Sequence, residues 1–301
     1  MRERAVTFGS HGGLVGVVTE PDAAPAADTP AVLLFNVGLN HHVGPHRLNV
    51  ELARHLSERG FPTLRFDLSG LGDSEPRTDD RPDEEHAVVD LQEAMNFMSQ
   101  RKAIKNFVVI GLCSGVDPAH VVAVSDSRIR GAVFMDGYAY TTRRYNLGEA
   151  ANRAARVLGP ANYKRWFRHR VLPVFGRRSA LQTSQYGIFD RTFPPRAQFK
   201  ADLEIMLARR VQILFFYTRQ AYFFNHRAQF AAMIDLRSVP SGVEVEHQRG
   251  ADHVFTSVRE RAQCVRRVVD WVAAHFATAV NGSEAVSVST PTAGTRATIG
   301  G

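Results

Sequence analysis

Short apolar runs alternate with amphipathic stretches along most of the chain. Residues 31–35, 107–112 and 129–135 are almost continuously apolar, which is typical of strands covered on both faces. Between the first two runs, residues 47–59 place several leucines on one helical face, and Gly60 ends the pattern. This alternation predicts an α/β protein with a mostly parallel sheet and helices on both of its faces.

The other predicted elements extend this pattern toward both ends of the chain. Two short segments around Gly12 and Gly13 predict an N-terminal hairpin. Further strands are predicted at residues 5–8, 13–19, 61–68, 211–217 and 243–246, and further helices at residues 82–100 and 258–276. Residues 281–301 are mostly small and polar, and we expect them to form a disordered tail.

The alternation stops between residues 141 and 205, which we interpret as a helical insertion into a core formed by residues 1–140 and 206–280. Between positions 143 and 200, thirteen Lys and Arg residues face two acidic residues, so this stretch carries +11 and the remainder −4 of the total +7. Such a concentration of charge favours an anionic partner, although the alternative is an arginine-rich surface that faces only water. No segment resembles a nucleic-acid-binding module, so we do not expect nucleic acid.

Two further features concern the cellular setting. The chain has two cysteines, Cys113 and Cys264, which excludes a disulfide framework and fits a reducing compartment. The N-terminal residues reach no apolar stretch of signal-peptide length, and no run approaches the roughly 18 apolar residues of a membrane span. We therefore expect a cytoplasmic protein with no membrane partner.

A candidate nucleophile lies where the strand at residues 107–112 ends. Residues 111–115 have the sequence GLCSG, which fits a sharp strand-to-helix turn with small residues two positions before and after the nucleophile. With Cys113 at the apex both of these positions are glycine, whereas Ser114 at the apex would be flanked by leucine and valine. The spacing therefore favours Cys113 as a nucleophile, and the alternative is a buried structural thiol.

Four segments in order resemble those of the α/β-hydrolase superfamily. Residues 33–38 resemble the strand and loop of the oxyanion hole, residues 65–74 the D-x-x-G-x-G-x-S turn, residues 111–115 the nucleophile elbow with Cys replacing the usual Ser, and residues 250–255 the loop of the catalytic histidine. The resemblance covers residues 31–276, with the insertion in the usual cap position. Residues 36–47 and 65–74 are most similar to the serine-aminopeptidase-like and exosortase-associated hydrolase branches.

The resemblance implies roles for individual residues. Cys113 would attack a carbonyl group, and His253 would take its proton and later activate the incoming nucleophile. The backbone N–H of Ser114 and one from Val37 or Gly38 would hold the oxyanion. In cysteine-elbow members such as dienelactone hydrolases and polyhydroxyalkanoate synthases, the thiolate forms an acyl-enzyme.

The acid partner of the histidine departs from the family pattern. Relatives usually carry it after the strand corresponding to residues 211–217, but residues 218–225 contain no carboxylate. Asp136, after the preceding strand, is the best substitute, and its alternative role is that of a turn aspartate. Asp252 adjoins His253 but is expected to point away. A thiol tolerates a weak acid partner, because a cysteine has a pKa of about 8.5 that an imidazolium lowers further.

A second group of polar residues follows the strand at residues 31–35. We interpret Asn36, His41 and His42 as substrate-contacting residues, because no carboxylate or cysteine nearby in the sequence would complete a metal site. Asp67 and Asp73 are interpreted as turn formers. We therefore expect neither a metal nor a cofactor.

Together these features predict a cysteine-dependent acyl-transfer enzyme. A thioester donor on coenzyme A or an acyl carrier protein would acylate Cys113, and water, an amine or an alcohol would take the acyl group. The basic insertion would meet the phosphopantetheine or the acidic surface of the carrier. The alternatives are an ester or lactone hydrolase of the dienelactone type and a non-catalytic protein of the same fold that binds a ligand.

Overall fold

The structure, a computed structural model, describes residues 1–10, 12–148, 150, 193–221 and 223–277. Most of the predicted insertion, namely residues 149 and 151–192, and the predicted tail at residues 281–301 lie outside the described residues. None of the described helices is both long enough and apolar enough to cross a membrane.

Strands and helices alternate along the described residues. The strands are β1 (Arg2–Phe8), β2 (Leu14–Glu20), β3 (Ala31–Leu34), β4 (Thr63–Phe66), β5 (Phe107–Leu112), β6 (Ile129–Met135), β7 (Gln212–Thr218) and β8 (Val243–Gln248). The helices are α1 (Leu48–Glu58), α2 (Asp83–Lys102), α3 (Val116–Ser125), α4 (Arg196–Ala208), α5 (Gln229–Met233) and α6 (Val258–Phe276). Short 3₁₀ turns span Pro45–Arg47 and Cys113–Gly115, and residues 143–148 are also helical.

These eight strands form one sheet in the order β1-β2-β4-β3-β5-β6-β7-β8. Strands β1 and β2 pair antiparallel with Arg2 opposite Glu20, which confirms the predicted hairpin. Strand β2 also runs antiparallel to β4, and the pairs from β4 to β8 are all parallel. The mostly parallel α/β architecture expected from the sequence is therefore confirmed.

Both faces of the sheet are covered, which explains why the central strands are continuously apolar. Along β5, Phe107 and Val109 join the buried cluster that includes side chains of α2, α3 and α4. Val108 and Ile110 point the other way and join the cluster formed with α1 and α6. Alternation along a strand thus supplies both layers of the core from a single apolar run.

Helix α4 crosses the predicted boundary between insertion and core at residue 205. Phe199, Leu203 and Met206 are buried in the core, and the ring of Phe199 contacts that of Phe215 in β7 at 5.8 Å between centroids. The core therefore resumes before residue 206. This helix was predicted to belong to the insertion, because the alternation of strands and helices stops between residues 141 and 205.

Candidate active site

Cys113 lies at the turn between β5 and α3 and is half-buried. Its backbone φ of 54° lies in the left-handed region that residues other than glycine rarely adopt. A side chain at Gly111 would overlap the carbonyl group of Gly115, and one at Gly115 would lie 2.9 Å from the carbonyl oxygen of Asn36. The two glycines are needed because the turn brings neighbouring backbone segments into contact.

His253 and Asp136 meet beside this turn, although 117 positions separate them in the sequence. The Nδ1–H of His253 donates to Oδ2 of Asp136 at 2.7 Å. The ring also interacts with Cys113, for which Nε2 remains available. Asp252, the neighbouring carboxylate, instead accepts from the backbone N–H of Thr256 at 2.9 Å. The structure therefore brings together the three residues that the sequence analysis grouped.

Asp136 is anchored by the end of β7. Thr218 donates its backbone N–H to Oδ1 and its hydroxyl to Oδ2 of Asp136, both at 2.7 Å. The side chain of Asp136 is almost completely buried, and its own N–H donates to the carbonyl oxygen of Phe216 at 2.8 Å. The role of Thr218 was not predicted, because the sequence shows only that residues 218–225 lack a carboxylate.

The electrostatics of the site favour a charged histidine. Burial disfavours the imidazolium of His253, but hydrogen bonds and charge interactions with Asp136 and Cys113 outweigh it and raise its pKa to about 10. The ring is therefore positively charged near neutral pH. An imidazolium beside a thiol stabilises negative charge on the sulfur.

The predicted oxyanion loop contacts the turn through Ser114. The hydroxyl of Ser114 accepts a hydrogen bond from the backbone N–H of Gly38 at 2.9 Å. Because this N–H is already engaged, the contact argues against Gly38 and leaves Val37 and Ser114 as the candidate backbone donors. Gly38 has φ 54°, so the loop turns sharply where it meets the elbow.

Asn36 and His42 are buried and face Asp67 rather than an open site. Asn36 Nδ2 donates to Oδ1 of Asp67 at 2.7 Å, and His42 donates its backbone N–H to Oδ1 at 2.6 Å and its Nδ1–H to Oδ2 at 2.7 Å. The interpretation of these two residues as substrate contacts is therefore wrong. Their side chains hold the loop against the end of β4, and distance in the sequence concealed the pairing.

His41 is the more accessible of the two adjacent histidines. Its Nε2 lies 3.0 Å from Oδ2 of Asp73 and 3.2 Å from Oδ2 of Asp67. Asp67 thus supplies the carboxylate that the sequence analysis did not find, and the donor atoms of His41, His42 and Asp67 lie within 4.8 Å of one another. The 2.7 Å contact of His42 with Asp67 is a direct hydrogen bond. It is shorter than the roughly 3.3 Å between tetrahedral ligands of one zinc ion.

The comparisons with known proteins agree with this fold. The family model for the alpha/beta hydrolase fold matches residues 30–210, and the chain belongs to this family. No curated protein matches the chain significantly. The match spans the oxyanion loop, the elbow and Asp136.

Several solved structures share the architecture at low sequence identity. The chain is similar to the esterase domain of a Rhodothermus marinus protein, with 17% identity, a TM-score of 0.54 and coverage of 92% of this chain and 100% of that chain. Est1E from Butyrivibrio proteoclasticus has 12% identity and a TM-score of 0.54, covering 91% and 99%. An α/β serine hydrolase without a lid from Xanthomonas campestris has 13% identity and a TM-score of 0.53, covering 91% and 95%.

Proposed function

We propose that the chain is a cysteine-dependent acyl-transfer enzyme that works through an acyl group on Cys113. The donor is a thioester carried on coenzyme A or on an acyl carrier protein, and the acceptor is water, an amine or an alcohol. The observation that carries this proposal is the contact of His253 with both Cys113 and Asp136 at a glycine-flanked turn. Asp136 acts as the acid of the site in place of a residue after β7.

The chemistry balances in two steps. The thiolate of Cys113 attacks the carbonyl carbon of the thioester, the bond from that carbon to the donor sulfur breaks, and the imidazolium of His253 gives its proton to the departing sulfur. The acceptor then attacks the acyl carbon and passes a proton to His253, and the bond to Cys113 breaks. The N–H groups of Ser114 and Val37 hold the oxygen that becomes negative in each step.

Two exposed apolar side chains support an acyl substrate. Leu39, in the oxyanion loop, is 71% exposed, and Val254, directly after His253, is 39% exposed. Exposed apolar side chains in the loops that carry the proposed site provide contact area for a hydrocarbon chain. The concentration of basic residues between positions 143 and 200 supports an anionic donor.

Intact-protein mass spectrometry after incubation with a panel of acyl thioesters tests the proposal. Wild-type protein is expected to gain the mass of one acyl group, and Cys113→Ala to gain none. Cys264→Ala is the matched control, because Cys264 is completely buried in the core and should not affect acylation. Equal acylation of the wild-type protein and Cys113→Ala, or none in either, would overturn the proposal.

An ester or lactone hydrolase is the second candidate function, because the esterases among the similar structures share this architecture. The two candidates differ in their donors and products. Turnover of small free esters without turnover of thioesters would favour the hydrolase. Addition of amines or alcohols, followed by identification of the product, separates acyl transfer from hydrolysis.

The third possibility in the sequence analysis, a non-catalytic binding protein, depended on the missing acid after β7. The hydrogen bond from His253 to Asp136 supports the enzyme over this alternative. Complete inertness toward esters and thioesters remains the result that would restore it.

A further inference from the structure

A basic cavity lies where the two described ends of the basic stretch meet. Its volume is about 590 Å³, and its lining includes Arg143, Arg144, Arg196, His226 and Asp235. Three guanidinium groups face it against one carboxylate, and among the described residues neither Arg143 nor Arg144 forms an ion pair. Such a cavity favours an anion over a neutral ligand.

His226 lines this cavity, but its two ring nitrogens do not open into it. Both of its ring nitrogens are shielded from solvent and lack a hydrogen-bond partner among the described residues. Burial, together with the charges of Arg144 and Arg249, lowers the pKa of His226 and keeps the ring neutral. A neutral ring carries one N–H donor, and leaving that donor unpaired costs free energy. Because neither nitrogen is accessible to solvent, a ligand in the cavity does not reach them, and the attraction of the cavity for an anion comes from its arginines.

The wall of the cavity is braced by contacts that fix Arg196. This side chain donates to the carbonyl oxygen of Thr141, and its guanidinium lies 5.6 Å from the centre of the Tyr140 ring. Tyr140 in turn donates its hydroxyl to the carbonyl oxygen of Pro194 at 2.6 Å and accepts at its own carbonyl from Gln229 at 3.0 Å. Fixed guanidinium groups bind phosphate oxygens with a smaller loss of side-chain entropy.

The cavity is connected to the candidate active site by a short segment of chain. Arg143 follows Asp136 by seven residues, which limits the distance between their Cα atoms to about 25 Å even for an extended chain. Along this segment the hydroxyl of Tyr217 donates to the carbonyl oxygen of Tyr138 at 2.8 Å, so the segment is tied to the core. A donor with a flexible arm between its thioester and its phosphate could reach both places.

We propose that the cavity formed by Arg143, Arg144, Arg196 and His226 binds the phosphate of a phosphopantetheine thioester donor, an inference that rests on the proposed acylation of Cys113. Guanidinium groups recognise phosphate through paired charge-assisted hydrogen bonds. The cavity is larger than one phosphate group requires, which leaves space for part of the attached arm.

Two donors that differ by one phosphate test this proposal. The kcat/KM of acyl-phosphopantetheine is divided by that of acyl-pantetheine for the wild-type protein and for Arg143→Gln/Arg144→Gln. The ratio is expected to fall about tenfold or more in the double variant, because charge-assisted hydrogen bonds to the phosphate are lost. An unchanged ratio would overturn the proposal.

The matched control is Arg259→Gln/Arg266→Gln, which removes two exposed charges from α6 outside the cavity and should preserve the ratio. Additional arms with a coenzyme A thioester and a carrier-bound thioester identify the natural source of the phosphate as the donor with the higher kcat/KM.

A binding measurement separates this proposal from the proposed function. Titration calorimetry measures the Kd of phosphopantetheine that carries no acyl group. We expect it to bind the wild-type protein, and we expect the Kd to be at least tenfold higher for Arg143→Gln/Arg144→Gln. Binding of this kind without acylation of Cys113 would support the phosphate site and overturn the proposed function. Acylation of Cys113 with equal binding of phosphopantetheine to the wild-type protein and the double variant would support the proposed function and overturn the phosphate site.

Discussion

Cys113 and Asp136 both have backbone conformations that side chains rarely adopt, with φ values of 54° and 47°. Each such residue costs about 1–3 kcal/mol and persists only where the surrounding structure determines it. At Cys113 this structure is the close approach permitted by Gly111 and Gly115. At Asp136 it is the set of hydrogen bonds from and to β7. Two of the three residues in the proposed site are therefore fixed by the fold and not by local preference.

Asp136→Asn should slow alkylation of Cys113 by iodoacetamide most strongly near neutral pH. The hydrogen bond and charge of Asp136 raise the pKa of His253, so its removal lowers the imidazolium population that stabilises the thiolate. We expect the alkylation rate at pH 6.5 to fall about tenfold, because a loss of thiolate stabilisation equal to about one pKa unit lowers the thiolate fraction by that factor. The difference should narrow toward pH 10, where a thiol ionises without help.

Mass spectrometry of alkylation rates between pH 6 and pH 10 measures this effect. Asp252→Asn is the matched control, since Asp252 adjoins His253 but accepts its hydrogen bond from Thr256. Equal rates for wild-type protein and Asp136→Asn at pH 6.5 would contradict the role of Asp136.

The loop after β3 depends on the end of β4 for its position. Asp67 is completely buried, and each hydrogen-bonding contact of its carboxylate, at 2.6–3.2 Å, is with an N–H donor. Burial raises its pKa, but hydrogen bonds from His42 and from the backbone of Asp73 outweigh this and lower it below the ordinary value. Asp67 therefore remains ionised and connects Asn36, His42 and Asp73 across two loops.

Asp67→Asn should destabilise the protein by about 3 kcal/mol, because an amide N–H₂ would face donors at one of the two oxygen positions. Urea denaturation followed by circular dichroism measures the change in the free energy of unfolding. We also expect a lower kcat, since the loop carries the proposed Val37 oxyanion donor. Asp73→Asn, at an exposed carboxylate, should cost less than 1 kcal/mol. The interpretation fails if both variants have the same stability.

The elements that the sequence predicts best are those with a simple apolar pattern. Strands β5 and β6 have the predicted bounds, because they are apolar and buried along their length except at Arg130, near the start of β6. Helix α4 was predicted to belong to the insertion, because no strand–helix alternation marks its part of the sequence.

The site residues that could be predicted are those that come shortly after the end of a predicted strand. Cys113, Asp136 and His253 follow β5, β6 and β8, and this regularity places all three at the carboxyl edge of the sheet. The role of Asp67 was not predictable, because it arises from pairing between loops that lie 25 residues apart. No local pattern in the sequence signals such a contact.

At the scale of the molecule, the strand order brings distant segments together. Strands β5 and β6 are neighbours, and β7 separates β6 from β8. Thr218 at the end of β7 therefore lies between the two strands that carry Asp136 and His253, where it can hold the carboxylate from one side. The chain segment that leaves this edge after β6 carries Asp136 and then reaches Arg143 and Arg144, which line the basic cavity.

The His253 interactions should also make the stability of the whole molecule depend on pH. The folded pKa of about 10 exceeds the ordinary value of about 6.5 for an unfolded histidine. A raised pKa contributes stability that is fully present below pH 6.5 and is lost as pH rises to about 10. Between about pH 6.5 and about pH 8.5 the proton gained by His253 is offset by the proton that Cys113 loses as a thiolate, so the stability does not change with pH. From about pH 8.5, where an unfolded thiol ionises, to about pH 10, the difference in unfolding free energy between wild-type protein and His253→Gln should shrink by roughly 1 kcal/mol per pH unit.

Guanidinium denaturation of both proteins at intervals from pH 6.5 to pH 10 measures this slope. His55→Gln is the control for removal of an imidazole, since the His55 side chain is 55% exposed and lies on α1. Groups that do not interact with His253 titrate identically in both proteins and cancel in the difference. Above about pH 8.5 the slope therefore reports the proton that His253 holds between Asp136 and Cys113. A constant difference between about pH 8.5 and about pH 10 would mean that His253 does not hold that proton in the folded state.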